Sequence, residues 1–312
     1  MKPFKILYQF AFTILCSMNT AAQDQSCGNY EIIDVSKEIQ IPFEFYGMNI
    51  MVHSKINDID VKMLIDNGVM WDELWFYGND QVDSLGFTYM DDIKIEGAGE
   101  GEGIESKTAS SVEMHFENVV FKNQTAIVSP KEQCFANFFP GMAGQLCGTF
   151  FKNFIVEFDF EQMLITLHKP EEFKYSGNGC EVKMYQDSSG SYSIPVTLIN
   201  NKKEINKEIF IDLGGIHSLS LVINQDFPVT ESMEKLKNIY GASGPINGYK
   251  GNIDKIKIGK YDIENPEAVF IENQAGEDNT NLTIGLPLLR QFNLIFDYFN
   301  NKLYLEPNKQ FN

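Results

Sequence analysis

Basic residues are scarce in this 312-residue chain: 25 lysines and arginines stand against 43 aspartates and glutamates, for a formal net charge of −18. A surface of that sign excludes nucleic acid and anionic membrane faces as partners, because phosphate is held by lysine and arginine. The four histidines (His53, His115, His168, His217) are scattered, and no cysteine is spaced from another cysteine or a histidine as a zinc site requires. No metal and no other cofactor is therefore expected. A Gly-x-Ser-x-Gly elbow is also missing, since Gly241-Ala242-Ser243-Gly244 has the wrong spacing for a nucleophile turn. The run Gly97, Gly99, Gly101, Gly103 lacks the dinucleotide spacing, and Glu100 and Glu102 between those glycines would repel a phosphate. Beyond the first residues, no run approaches the roughly 20 apolar residues that span a bilayer.

The chain opens MKPFKILYQFAFTILCSMNTAAQ: two lysines, an apolar run from Ile6 to Leu15, then small residues up to Ala22. That layout predicts a secretory signal over residues 1–22, cleaved after Thr20-Ala21-Ala22. A lipoprotein signal tethered at Cys16 is the alternative, disfavoured by the bulky Leu15. Either way the product is exported, to the periplasm, the cell surface or the medium. Loss of Lys2 and Lys5 makes the mature charge about −20, which suits solubility and says little more. Four cysteines remain (Cys27, Cys134, Cys147, Cys180). In an oxidising compartment they allow two disulfides in any of three pairings, or buried free thiols.

What the chain does contain is a unit written twice. The segments LCGTFFKNFIVEFDFEQMLITL (146–167) and IGLPLLRQFNLIFDYFNNKLYL (284–305) align without a gap at an offset of 138, placing Phe154 on Phe292, Phe158 on Phe296, Asp159 on Asp297 and Phe160 on Tyr298. Upstream of each, an apolar run stops at a carboxylate followed at the second position by glycine: MLIDNG ending in Asp66, Asn67 and Gly68, and IFIDLGG carrying Asp212, Leu213 and Gly214. A lone aspartate after a strand is usually a turn residue bonding its own backbone. Two in matching contexts, in a repeat the size of a small domain, predict two lobes about a pseudo-twofold axis that brings Asp66 and Asp212 together.

Alternation of apolar and polar residues predicts mostly β structure. NIMVHSKINDIDVKMLID is a hairpin turning at Asn57-Asp58, and SYSIPVTLINNKKEINKEIFID its counterpart turning at Asn200-Asn201. Glycine-rich segments follow at 96–103 and 240–251, then hairpins at 112–123 and 253–265. Helix is expected over 230–239 (TESMEKLKNI), capped by Thr230, and in short turns at 149–154 and 287–292. Trp71 and Trp75 are assigned to core packing rather than a sugar-binding surface, and Met90-Asp91-Asp92 to a solvated face rather than calcium. The predicted layout is an N-terminal segment 23–40, a lobe 41–172, a linker 173–190 and a second lobe 191–307.

The two Asp-x-Gly strands, each followed by a glycine-rich hairpin and a segment running into Phe-x-x-x-Phe-Asp, resemble the aspartyl proteases of the retropepsin and pepsin type. The resemblance is narrowest to the two-lobed, single-chain proteins of that kind exported by bacteria. It spans residues 41–307, and GLPLLRQFNLIFDYFNNKLYLEP is its most specific piece. It implies a pair of β-barrel-like lobes with an interlobe cleft, Asp66 and Asp212 as the catalytic pair, and Asn67, Gly68, Leu213 and Gly214 as its support. Gly97, Gly99, Gly101, Gly241 and Gly244 would form hairpin flaps over an extended polypeptide substrate or peptide ligand, and the expected working unit is a monomer. The chain departs from the family pattern at the site. Asn67 and Leu213 stand where Thr or Ser is usual, and leucine offers no side-chain hydrogen bond, so the symmetric grip between lobes is not expected. Cys147 replaces the glycine kept as Gly285. Two functions follow: a peptidase whose paired carboxylates activate water, or a protease-like protein of impaired catalysis that binds a peptide or surface component in the same cleft.

Overall fold

A computed structural model describes residues 8–9, 29–68, 74–95, 102–131, 135–187, 190–241, 244–272 and 282–311. Of the first 28 residues only Tyr8–Gln9 falls within that description, as a two-residue strand parallel to Ile239 and Tyr240. Among the described residues the chain is mostly β, with helix confined to Asp80–Asp83, Phe135–Phe138, Thr149–Asn153 and Leu286–Leu289.

Each lobe is built on the hairpin foreseen from the alternation. Asn49–Ile56 pairs with Ile59–Ile65 through a turn in which Asn57 and Asp58 have φ of 46° and 69°, the left-handed pair that a two-residue turn between twisted strands demands. The second hairpin, Tyr192–Asn200 with Lys203–Asp212, turns one residue later than predicted, at Asn201 and Lys202 with φ of 51° and 64°. In both lobes the strand ending at the aspartate is joined in parallel by a short strand from the repeat segment: Gly144–Leu146 beside Ile59–Ile65, and Thr283–Gly285 beside Lys203–Asp212. A third strand, Leu74–Tyr77 or Leu219–Val222, runs antiparallel to that short one. The carboxylates thus emerge at equivalent ends of buried, three-strand cores.

The lobes are joined by one sheet crossing between them, in the order Cys180–Lys183, Lys302–Pro307, Phe292–Asp297, Ile155–Asp159, Leu164–His168 and Ile39–Tyr46. At its centre Val156 pairs with Phe296, Glu157 with Ile295 and Phe158 with Leu294. Glu157 and Ile295 are themselves repeat equivalents at the offset of 138, and the flanking pairs exchange under it, so the pseudo-twofold axis passes between those two residues. The segment expected as linker is partly ordered structure: Tyr175 stacks on Tyr304 with centroids 4.1 Å apart, and Cys180–Lys183 forms the sheet edge.

One apolar core runs through both lobes, with Phe151, Phe158 and Phe296 meeting at the crossing. A smaller cluster beside Asp66 holds Leu64, Trp75, Tyr77, Phe139, Met142 and Cys147. The expected helix over 230–239 is corrected: Glu234–Gly241 is a strand, paired with Gly244–Asn252. Its Glu, Met, Lys and Leu residues favour helix locally, but pairing within the sheet outweighs a propensity of tenths of a kcal/mol per residue. Thr230 takes part in a turn instead, its carbonyl accepting from Met233 N–H.

Because Phe296 is wholly buried at the axis, Phe296→Ala is expected to destabilise the fold by about 3–5 kcal/mol. Urea unfolding measures this, with both lobes losing stability together.

Candidate active site

Asp66 and Asp212 are brought face to face by the glycines that follow them. A methyl group on Gly68 would lie 2.5 Å from Asp212 Oδ1, and one on Gly214 would lie 2.6 Å from Asp66 Oδ1. Both distances are below any real contact, so each lobe's carboxylate fits only because the other lobe has no side chain there. Each carboxylate is also held by its own turn. Gly68 N–H donates to Asp66 Oδ1 at 3.0 Å, and Gly214 N–H to Asp212 Oδ1 at 2.8 Å. These matched bonds are the local reason for Asp-x-Gly in both copies.

Both acids are buried, Asp66 at 4% exposure and Asp212 at 0%. Burial, then the neighbouring Asp66 charge, pushes the Asp212 carboxyl well above the usual carboxylate range, against the pull of the Gly214 and Gly215 N–H groups. The two carboxyls lie close enough that ionisation of one disfavours ionisation of the other. Asp212 Oδ2 has no hydrogen-bond donor among the described residues. Two buried carboxyls so placed favour a single proton held between them.

Around this pair the structure departs from twofold symmetry. Asn67 Oδ1 accepts from Leu213 N–H at 2.7 Å, and Asn67 Nδ2 donates to the Tyr298 hydroxyl at 3.0 Å. A backbone N–H can only donate, which fixes the amide orientation. The Leu213 side chain, fully buried in the core, makes no such bond, as its chemistry requires. Its backbone supplies the interlobe contact instead. Beside Asp66, Cys147 fits where a side chain at Gly285 would run into the Gly215 and His217 carbonyls; in this lobe it packs in the smaller apolar cluster with Trp75 and Tyr77. The Tyr77 hydroxyl donates to Gln145 Oε1, and burial, followed by the Asp66 charge, pushes its pKa well up.

Gly241 and Gly244 pair across the end of a hairpin in the second lobe. Gly97, Gly99 and Gly101 lie outside the described residues. Trp75 is a core residue whose Nε1 donates to Ser129 Oγ at 2.7 Å, whereas Trp71 lies outside the description. Asp91 and Asp92 are on an exposed strand face, Asp92 paired with Lys107 at 3.4 Å. Cys147 and Cys180 stand as thiols, while Cys27 and Cys134 are undescribed. His217, five residues past Asp212, is buried, and that burial lowers its pKa to about 4. No local motif singles out Tyr298, Tyr192 or Tyr77. The one signal was Tyr298 facing Phe160 in the repeat alignment. A cavity of about 1110 Å³ lies in the second lobe between Lys183, Thr197, Asn206 and Lys257. It touches neither aspartate, and the chemistry locates the site better than the volume does.

No family model and no curated protein matches the chain. Among solved structures it is similar to the aspartic proteinase from Irpex lacteus, with a TM-score of 0.55 at 12% identity, covering 88% of this chain and 98% of that one. The fold is accordingly the two-lobed one of the aspartic proteinases.

Two outcomes test this geometry. Gly214→Ala, whose new methyl has no room beside Asp66, is expected to separate the pair, and a crystal structure of the variant would show the displaced carboxyl. For Asp212, the folded state holds a proton that the unfolded state releases above about pH 4. Stability relative to Asp212→Asn therefore falls as pH rises from about 4 through the raised native value, by at most about 1.4 kcal/mol per pH unit. Parallel stability curves for the two proteins would contradict the shared proton.

Proposed function

We propose that this chain is an exported aspartic peptidase in which Asp66 and Asp212 together activate water against a peptide bond. The supporting observation is the crosswise fit of Gly68 on Asp212 and Gly214 on Asp66, which sets two buried carboxyls against each other, an arrangement that favours one shared proton. Amide hydrolysis without a metal or nucleophilic side chain needs a general base for the water and a general acid for the departing nitrogen. A pair holding one proton is both at once. The ionised partner takes a proton from water as its oxygen attacks the carbonyl carbon. The protonated partner gives its proton to the carbonyl oxygen, and proton transfer to the amine then accompanies breaking of the C–N bond. An extended polypeptide would pair its backbone with strand edges along the cleft, under the glycine-bearing hairpins. The apolar leader supports export.

A second reading keeps the cleft as a peptide-binding site with impaired catalysis, and the observation favouring it is Leu213, which brings no hydroxyl to the pair. Hydrolysis of an unfolded protein from acid to neutral pH distinguishes the two. The peptidase reading expects activity that Asp66→Ala and Asp212→Ala each lower on the order of 10³-fold or more. A folded wild-type chain with no activity at any pH leaves the binding reading.

A further inference from the structure

The repeat is broken at two pairs of positions, and the breaks match. Asn67 in the first copy answers to Leu213 in the second, and Tyr298 in the second answers to Phe160 in the first. The polar members are hydrogen-bonded to each other, Asn67 Nδ2 to the Tyr298 hydroxyl at 3.0 Å, although they lie in different lobes. The apolar members, Leu213 and Phe160, are both buried in the main core. One lobe-to-lobe contact is therefore polar and its symmetry mate is apolar.

Tyr298 is well placed to hold a side chain still. Its ring stacks on Tyr192 with centroids 4.1 Å apart and planes 13° from parallel, and packs against Phe151 and Phe296 at 5.3 and 5.8 Å. The residue keeps some solvent exposure, yet burial around the hydroxyl drives its pKa far above the usual phenol range, so the group stays a neutral hydroxyl. Asn67 is 2% exposed and is bonded at both ends to the second lobe: to Tyr298 and to the N–H of Leu213, the residue following Asp212. It also directly follows Asp66. A backbone shift at Asn67 would carry the adjoining Asp66 with it.

We propose that Tyr298 is a positioning residue of the carboxyl pair, acting through Asn67, and that this brace replaces the hydrogen-bonding side chain missing at Leu213. The inference rests on the peptidase reading. It makes the alignment of the pair depend on a tyrosine 86 residues beyond Asp212, on one side of the axis alone. Misplacement of reacting groups by an ångström costs as much as about 10²-fold in rate, so a hydroxyl that reaches Asp66 through the neighbouring Asn67 can be felt in turnover.

The test is a cycle of Tyr298→Phe, Asn67→Ala and the double variant, with unfolded-protein hydrolysis and thermal unfolding measured across pH. Phenylalanine keeps the stack on Tyr192 and removes only the hydroxyl. The expected result is kcat lowered on the order of tenfold with KM within about twofold, and no further loss when Tyr298→Phe is added to Asn67→Ala. A kcat unchanged by Tyr298→Phe, a lower melting temperature alone, or an equal loss in the Asn67→Ala background would overturn it. A wild type that cleaves nothing sinks the peptidase reading instead. The brace is then judged by the pH dependence of unfolding, where Tyr298→Phe must move the Asp212 transition, and an unmoved transition refutes it.

Discussion

Everything in this molecule turns on keeping two buried carboxyls against each other. Charge repulsion and desolvation both oppose the arrangement, and a single shared proton removes most of the cost. The backbone must supply the remainder. Gly68 and Gly214 vacate the space, their N–H groups bond one oxygen of each acid, and the three-strand cores beneath hold both turns rigid. The sheet through Glu157 and Ile295 then fixes the distance between the two turns. Sequence, fold and site are linked through one operation, the pseudo-twofold axis, and each link fails without the one before it.

Symmetry explains the fold, and its breakage explains the site. A strictly symmetric pair would be supported alike on both sides. Here Asn67 spans the interface with two hydrogen bonds while Leu213 contributes a backbone N–H and apolar burial. Such a division is physically sound, because a fully buried leucine opposite a satisfied amide leaves no unpaired polar side chain at either position. Cys147 opposite Gly285 follows the same pattern, one lobe using side-chain volume where the other needs none.

Most of the architecture was legible in the chain because its signals are local. Alternation with Asn57-Asp58 marks a hairpin; an ungapped offset of 138 marks a repeat; Asp-x-Gly at the ends of apolar runs marks the pair. What could not be read depends on contacts between distant residues. The 230–239 segment has helix-forming residues, and only its partner strand from Gly244 makes it β. The second turn slipped by one residue because Asn200, Asn201 and Lys202 offer nearly equivalent turn chemistry, and the pairing register alone chooses among them. Tyr298 lies 231 residues from Asn67, and no local pattern links a hydroxyl to an amide across that distance. Leu213 was misleading for another reason: its side chain announces a lost bond, while the bond itself comes from a backbone group that every residue but proline carries.

On this reading Asp66 and Asp212 share one proton in the folded chain. Infrared spectroscopy at neutral pH can detect it, because a protonated carboxyl absorbs apart from ionised ones. One protonated carboxyl is expected in the native protein, absent from Asp212→Asn and lost from the wild type on unfolding. A native spectrum with every carboxyl ionised would contradict it.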